Sequence, residues 1–551
     1  MSVADRFRTH DVENQPPELA PYNAYATDVP LREALAREGG GWAENEVAEY
    51  GAVVGGESMA LAVAANENRP TLRAVDRTGV RIDDVDFHPA YHRLMQLGME
   101  HGVSGFAWRN ASHSGAHVAR AALAYLHTQA DQGTSCPLTM TYACVPSLEH
   151  QPSLANDWLP RVIGDAYDGR SVPANEKSGN TIGMGMTEKQ GGSDVRSNTT
   201  RATPVSAAGS GELYELVGHK WFFSAPMSDA HLVLAQAESG LSCFLLPRFA
   251  PGGARNAVRI QRLKNKLGDW SNASSEVEFQ GALAWMVGEP GRGVATILQM
   301  VALTRQDCLI GSAGIMRQAL VQAIHHARHR RAFGKQLVDQ LLMRNVLADL
   351  ALESEAAVAL ALRVARSIDA SPRDPVERAL ARIGTAVGKY WVCKRCPTFV
   401  NEAQECLGGA GYVEESVLPR LYRQAPLNSI WEGSGNIQCL DVLRTLRKEP
   451  ACAEAFFGEL DSVRGGHRLL DAETVALRKT LRDGMDSLEA RARFHVERMA
   501  MALQASCLVR SGNVAVADAF CDSRLGQAHG IALGTLRGGA PLDLPIERAF
   551  T

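Results

Sequence analysis

No window of this sequence reaches the ~18 uninterrupted apolar residues of a membrane-spanning helix, which excludes a helical membrane protein. The opening segment, residues 1–17, is polar and lacks the apolar stretch of a secretory signal, so the cytoplasm is the expected compartment. Neither sign of charge dominates. With 57 Lys and Arg against 61 Asp and Glu, the net charge of -4 calls for neither nucleic acid nor an anionic membrane as partner, although a neutral average does not exclude a local patch. The eleven cysteines have no repeating spacing, so they form no disulfide framework. Cys393 and Cys396 make a lone CxxC with no second pair, and no carboxylate or cysteine completes a ligand set around His325, His326 and His329. No metal site is expected. No strand followed by GxGxxG and a helix is present, so a dinucleotide, if bound, is held by some other device than a Rossmann turn. Internal repeats and low-complexity tracts are also missing.

What is present is length and a change of texture. A chain of 551 residues is too long for one core, and about three or four domains are expected. Residues 1–180 read as mostly helical after an extended arm marked by Pro16, Pro17 and Pro21. From Ile182 to Gly288 the pattern turns to short strands: apolar runs begin at Leu232 and Leu241, Glu276 to Phe279 alternates as a half-buried strand does, and Ala207 to Gly211 supplies a hairpin turn. Helical spacing resumes from about residue 289 to Arg447, interrupted at Ser371 to Pro375. A further helical block covers 448–551, and its last stretch from Gly538 reads as loosely ordered. The predicted fold is mainly α with a central β domain, divided at 1–180, 181–288, 289–447 and 448–551.

Four segments carry chemistry. Gly183 to Asp194 (GMGMTEKQGGSD) opens the β region; its glycines let backbone N–H groups approach a flat or anionic ligand, and Thr187 and Ser193 add hydroxyls. A polar turn is the plainer reading of that segment taken alone. Lys220 to Ala225 (KWFFSA) sets three aromatics beside a hydroxyl, which suits a buried strand or a wall against a ring system. Arg330 to Gln336 (RRAFGKQ) is a basic helix end that suits a pyrophosphate or simply terminates a helix. Glu405 to Tyr412 (ECLGGAGY) is followed by Asn428 to Gln438 (NSIWEGSGNIQ), where Glu432 sits among apolar and small residues. Such surroundings raise a carboxylate pKa and suit it to proton abstraction; the alternative is a helix-capping acid.

Taken together and in this order, these segments resemble the acyl-CoA dehydrogenase family over about residues 20–447. TEKQGGSD is similar to that family's TEPGAGSD turn, RRAFGKQL to its RxxFGKxL helix end, and WEGSGNIQ to its YEGTSQIQ segment. The wording MGMTEKQGGSDV, GHKWFFS, LPRLYR and NSIWEGSGNIQCLDVLR, with the extra block after residue 448, resembles the AidB-like, alkylation-response branch. The resemblance implies the family fold: an α domain, a β-barrel-like domain and an α four-helix bundle, here with a C-terminal helical extension. It also implies FAD between the β domain and the bundle. Met184, Gly185, Met186, Thr187 and Ser193 would contact the flavin and its phosphates, and Phe222, Phe223 and Ser224 would flank the ring. Arg330, Phe333, Glu405, Gly408 and Gly409 would hold the adenine and pyrophosphate side, in part from a neighbouring subunit. Ile430, Trp431, Gly433, Ser434 and Asn436 would meet FAD around the catalytic turn. The chain departs from the family pattern at Leu341 and Glu405, where glutamine is common, and at Lys189-Gln190, which replace Pro-Gly.

Some members carry the catalytic base on a bundle helix; the matching position here is Thr304, so Glu432 has no rival. The implied reaction is α,β-dehydrogenation of an acyl-CoA, with Glu432 as base, a homo-oligomer (a tetramer), and an electron-acceptor protein as partner. The resemblance also carries a second role, non-specific binding of double-stranded DNA by the C-terminal block, and an acyl-CoA oxidase is a third reading. From Asp441 to Thr551 the chain has 15 Lys and Arg against 15 Asp and Glu, so DNA binding needs a local cluster. The candidates are Arg478, Lys479, Arg482, Arg491, Arg493 and Arg498, with Asp483, Asp486 and Glu489 near enough to neutralise them.

Overall fold

The computed structural model describes residues 6–482, 488–526 and 529–551, without the side chain of Arg482. Helices run from Val29–Arg37 to Pro152–Val162. Asp28 caps the first of them, accepting from the Leu31 N–H at 3.0 Å, and Pro30 sits in the first turn, where its missing N–H breaks no bond. This region also holds a hairpin that its periodicity did not show, β1 (Thr71–Val75) with β2 (Arg81–Asp86). Three aspartates make β2 a poor strand by propensity. The β domain overrides this: Arg248 and Arg255 reach Asp84 at 2.5 and 2.9 Å, and Asp83 accepts the Ile260 N–H at 2.9 Å.

Seven strands form the central sheet: β3 (Ile182–Gly185), β4 (Arg201–Pro204), β5 (Leu213–Ser224), β6 (Ala230–Ala237), β7 (Gly240–Pro247), β8 (Val258–Leu263) and β9 (Ser274–Val287). The order β3-β6-β4-β5-β9-β7 closes on itself through full antiparallel pairing of β6 with β7, and β8 lies against β9. The turn at Ala207 to Gly211 joins β4 to β5 as expected. Glu276 departs from the expected alternation: it is buried, because Arg262 and Lys264 meet its carboxylate at 2.7 and 2.6 Å.

Three long helices, Gly293–His329, Leu341–Ala370 and Pro375–Leu407, and the shorter Gly435–Lys448 make the bundle. Asp374 caps the third helix through the N–H groups of Val376 and Glu377, with Pro375 at its first position. Cys393 and Cys396 belong to its buried face, their thiols turned to the Cys308 and Ser312 carbonyls. The last block is tied to the second of these helices through buried ion pairs. Arg363 meets Glu459 at 2.8 Å, and Arg524 meets Asp349 and Glu353 at 2.6 and 2.9 Å.

The stretch from Gly538 is not loose throughout. Helix Asp543–Ala549 docks because Arg548 pairs with Glu355 and Glu33 at 2.7 and 2.6 Å, while Phe550 meets Tyr22 edge-on at 5.7 Å. Its anchors lie more than 190 residues away in sequence, so local composition could not reveal them.

Candidate active site

A cavity of about 530 Å³ lies where the N-terminal helices, the closed sheet and the bundle meet, within the range usual for ligand sites. Met184, Met186, Thr187, Ser193, Phe222, Ser224, Ile430, Trp431, Gly433 and Ser434 line it, together with Glu432. Residues from three separate sequence segments thus line one cavity.

The sheet side is fixed by a buried ion pair. The Glu188 carboxylate meets Lys220 Nζ at 2.8 Å and accepts from the Thr199 N–H and the Thr200 hydroxyl at 2.7 and 2.6 Å. Burial alone would raise its pKa; Lys220 and the hydrogen bonds outweigh burial and hold it at about 2. The charged pair ties the turn after β3 to β5, bringing Thr187 and Phe222 to the same cavity. A side chain at Gly192 would collide with the Thr187 hydroxyl at 2.5 Å, so glycine is required where that hydroxyl packs.

The bundle side carries the carboxylate. Glu432 sits in a turn before helix Gly435–Lys448 with φ +59°, a left-handed conformation uncommon for a residue with a side chain. Thr304 donates its hydroxyl to Glu432 Oε2 at 2.8 Å, and Arg305 donates Nε–H to the Glu432 carbonyl at 2.9 Å. Burial raises the Glu432 pKa above the usual carboxylate range, against the opposing pull of the Thr304 hydroxyl, Lys389 and Arg305. Thr304, the position compared above with the alternative base of some members, is here a hydrogen-bond donor to the Glu432 carboxylate.

Several cavity-lining oxygens have no hydrogen-bond partner among the described residues: Gln132 Oε1, Asn272 Oδ1 and both carboxylate oxygens of Asp269. Burial pushes Asp269 up to about 7. Unpartnered buried acceptors are uncommon, and these oxygens stay unmatched within the wall of the cavity. Apolar walls edged by the hydroxyls of Thr187, Ser193, Ser224 and Ser434 fit a large flat group with a polar rim, such as a flavin.

Other expected residues do not reach the cavity in a single chain. Phe223 is buried behind the wall, stacked on His231 at 3.8 Å, and Gly185 packs against Phe223: a Cβ there would meet its ring at 2.7 Å. Arg330 donates to the Asn14 carbonyl at 2.5 Å, Phe333 is 99% exposed at the tip of a tight hairpin, and Glu405, Gly408 and Gly409 lie on the outer surface. Asn436 is exposed and accepts from Arg493 Nε at 2.8 Å, so one DNA candidate sits at the start of the helix that follows the Glu432 turn. Lys389, Arg305, Gln438, Gln132 and Asp269 were not anticipated. For Lys389 a signal existed: it is a lone cation in the otherwise apolar and small stretch from Ile383 to Val392, and a buried charge needs a partner.

This architecture is matched by known proteins. Models of the acyl-CoA dehydrogenase middle domain and C-terminal domain match residues 183–282 and 291–447, and the adaptive response protein AidB N-terminal domain matches 14–169. The chain belongs to the acyl-CoA dehydrogenase family, a family of oxidoreductases. AidB of Escherichia coli (strain K12) is 49% identical over 484 residues, 88% of each chain, and with the N-terminal match this sets the chain in the AidB-like branch. Acyl-CoA dehydrogenase family member 11 of Caenorhabditis elegans is 29% identical, over 81% of this chain and 73% of its own. The crystal structure of Caenorhabditis elegans ACDH-11 in complex with C11-CoA superposes with a TM-score of 0.86 at 26% identity, covering 95% of both chains.

Proposed function

We propose that this protein is an FAD-dependent acyl-CoA dehydrogenase whose catalytic base is Glu432. The observation that carries the reading is that the Glu432 carboxyl lines the same cavity as Met186, Thr187, Ser193, Phe222 and Ser224, the segments expected to hold a flavin. The complex of ACDH-11 with C11-CoA supports an acyl-CoA as the substrate class.

The donors and apolar walls described above fit FAD: Thr187, Ser193, Ser224 and Ser434 would meet its polar edge, and Met184, Met186, Ile430 and Trp431 its faces. Bound FAD supplies the acceptor for the substrate's β-hydride. The chain's own part is proton chemistry. Ionised Glu432 takes the proton from the acyl α-carbon; that C–H pair and the departing β-hydride leave the α,β double bond. The Thr304 hydroxyl favours the ionised carboxylate and aims it, and the apolar walls exclude water, which strengthens every polar contact inside. The main-chain N–H of Glu432 is the family's donor to the thioester oxygen and is assigned that role here.

Phe333, Leu341 and Leu342 are 99%, 73% and 77% exposed, an apolar surface beside the RRAFGKQ hairpin. It supports a homo-oligomer in which that hairpin and the Glu405 to Gly409 segment complete a neighbour's cofactor site.

The DNA-binding reading rests on the AidB-like resemblance and gains little from the proposed residues. Arg478 pairs with Asp461 and lies over Phe457, Arg498 pairs with Glu473 at 2.6 Å, and Arg493 holds Asn436. Lys479 and Arg491 are exposed, and Asp483, Asp486 and the Arg482 side chain lie outside the described residues.

The test is anaerobic bleaching of the purified, FAD-loaded protein by a panel of acyl-CoAs. Bleaching by at least one member is expected. No bleaching by any chain length or branching pattern would remove the dehydrogenase reading.

A further inference from the structure

The catalytic turn is held from behind by one buried cation. Lys389 lies in helix Pro375–Leu407 and is 1% exposed. Its ammonium donates to the carbonyls of Asn428, Trp431 and Gly433 at 3.0, 3.0 and 2.9 Å. An ammonium has three protons to give, and all three are used on main-chain oxygens that bracket Glu432. Between Trp431 and Gly433, the Glu432 carbonyl, which Lys389 does not take, is held by Arg305 Nε at 2.9 Å and Gln438 Nε2 at 3.1 Å.

Three consecutive carbonyls, from Trp431 to Gly433, therefore point into the bundle. That arrangement requires the left-handed turn seen at Glu432, φ +59°, and at Gly433, φ +94°. A residue with a side chain keeps such a conformation only where its surroundings over-determine it. With the carbonyls drawn back, the Glu432 side chain projects the other way, into the cavity and onto the Thr304 hydroxyl.

We propose that Lys389 is the positioning residue of this active site: its ammonium draws back the carbonyls around Glu432 and so fixes where the catalytic carboxylate points. It touches neither substrate nor cofactor and acts through Glu432. The inference rests on Glu432 being the base.

Lys389 also bears on the ionisation of Glu432. The ionisable groups around that carboxyl are Arg305 and Cys308 from helix Gly293–His329, Lys389 from Pro375–Leu407, and Cys136 from Gln132–Ala143. Asp441 is paired to Arg305 at 3.0 Å. Burial pushes Cys136 up to about 12 and Cys308 well above the usual thiol range, so both are neutral. Lys389 and Arg305 are the cations that favour the ionised carboxylate, and Arg305 shares its charge with Asp441. Removing the Lys389 charge therefore moves the Glu432 titration to higher pH.

The experiment compares Lys389→Met and Lys389→Gln with wild type, each as the FAD-loaded full chain. Two readouts are taken. The first is stopped-flow flavin reduction by the best acyl-CoA of the panel, across pH. The second needs no turnover: the infrared carbonyl band of protonated Glu432, identified by its loss in Glu432→Gln. Expected is a fall in kcat of about 100-fold, the scale of misplacing a catalytic group by about an ångström, with KM changed far less. The acid limb of kcat/KM and the infrared band should both move to higher pH. Lys389→Gln keeps a neutral donor in the site and answers the question if Lys389→Met does not fold. A variant that is less heat-stable but has unchanged kcat and an unmoved infrared band shows Lys389 to be a structural residue only, and overturns the inference. If no acyl-CoA reduces the wild type, the dehydrogenase reading falls, while the infrared titration still decides whether Lys389 governs Glu432.

Discussion

Glu432→Gln isolates the proposed base with little disturbance to its frame. The side chains that hold the turn, Lys389, Arg305 and Gln438, bind main-chain carbonyls, so they remain in place when the carboxylate becomes an amide. Thr304 can donate to the amide oxygen as it does to Oε2, at 2.8 Å in the wild type. Folding stability and FAD content should therefore stay near wild type. The rate should not. Loss of a general base costs about 10²- to 10⁴-fold, or roughly 3–5 kcal/mol in the barrier. Two other carboxyls line the cavity. Asp307 is tied up by Arg120, whose Nη2 reaches it at 2.7 Å, and by the Thr139 hydroxyl at 2.6 Å, and is poorly placed to substitute. Asp269, pushed up to about 7, is partly ionised near neutral pH and is the competitor to exclude. The assay is anaerobic single-turnover flavin reduction by a saturating acyl-CoA, with Asp269→Asn run beside Glu432→Gln. Glu432→Gln should lose at least ~100-fold while Asp269→Asn keeps most of the rate. Wild-type reduction in Glu432→Gln, or a larger loss in Asp269→Asn, refutes the assignment.

The remaining expectations concern ionisation, assembly and stability. Thr304→Val removes a donor to the Glu432 carboxylate, so the acid limb of kcat/KM should shift to higher pH with FAD binding unchanged; an unmoved limb would show that this hydrogen bond does not tune the base. Burial pushes His231 down to about 3, so the folded protein keeps it neutral while the unfolded chain protonates near 6.5. Its contribution is complete above about pH 6.5 and is lost as pH falls toward 3. His231→Gln should accordingly flatten the pH dependence of the unfolding free energy from urea titrations in that window by up to roughly 1.4 kcal/mol per pH unit, and equal slopes would count against it. Light scattering of the FAD-loaded protein should give an oligomer, and Phe333→Asp with Leu342→Asp should dissociate it and weaken FAD retention; a wild-type monomer holding one FAD per chain contradicts this. Arg548→Ala strands the buried Glu355 carboxylate and should cost about 3–5 kcal/mol by denaturant titration, against a near-zero change if the last helix adds nothing.

The sequence by itself determined the order of the architecture and singled out segments that line the cavity. Period and turn residues marked helices, then short strands from Ile182, then helices again, because those patterns are local. The segments around Thr187, Ser224 and Glu432 stood out locally by residue type, and each alone also fitted a plain structural reading; the fold brings all three to one cavity. Tertiary structure decided what depends on partners far away in sequence. β2 is a strand because Arg248 and Arg255 neutralise Asp84, Glu276 is buried because cations on β8 and just beyond it reach it, and the tail docks because Arg548 finds Glu33 and Glu355. Arg478 and Arg498 read as part of a basic cluster and are in fact paired, since helical spacing shows which residues share a face but not which acids that face meets. The same reason hid Lys389. Its role consists of three carbonyls 39 to 44 residues further along the chain, and only the folded bundle brings an ammonium within 3.0 Å of all three.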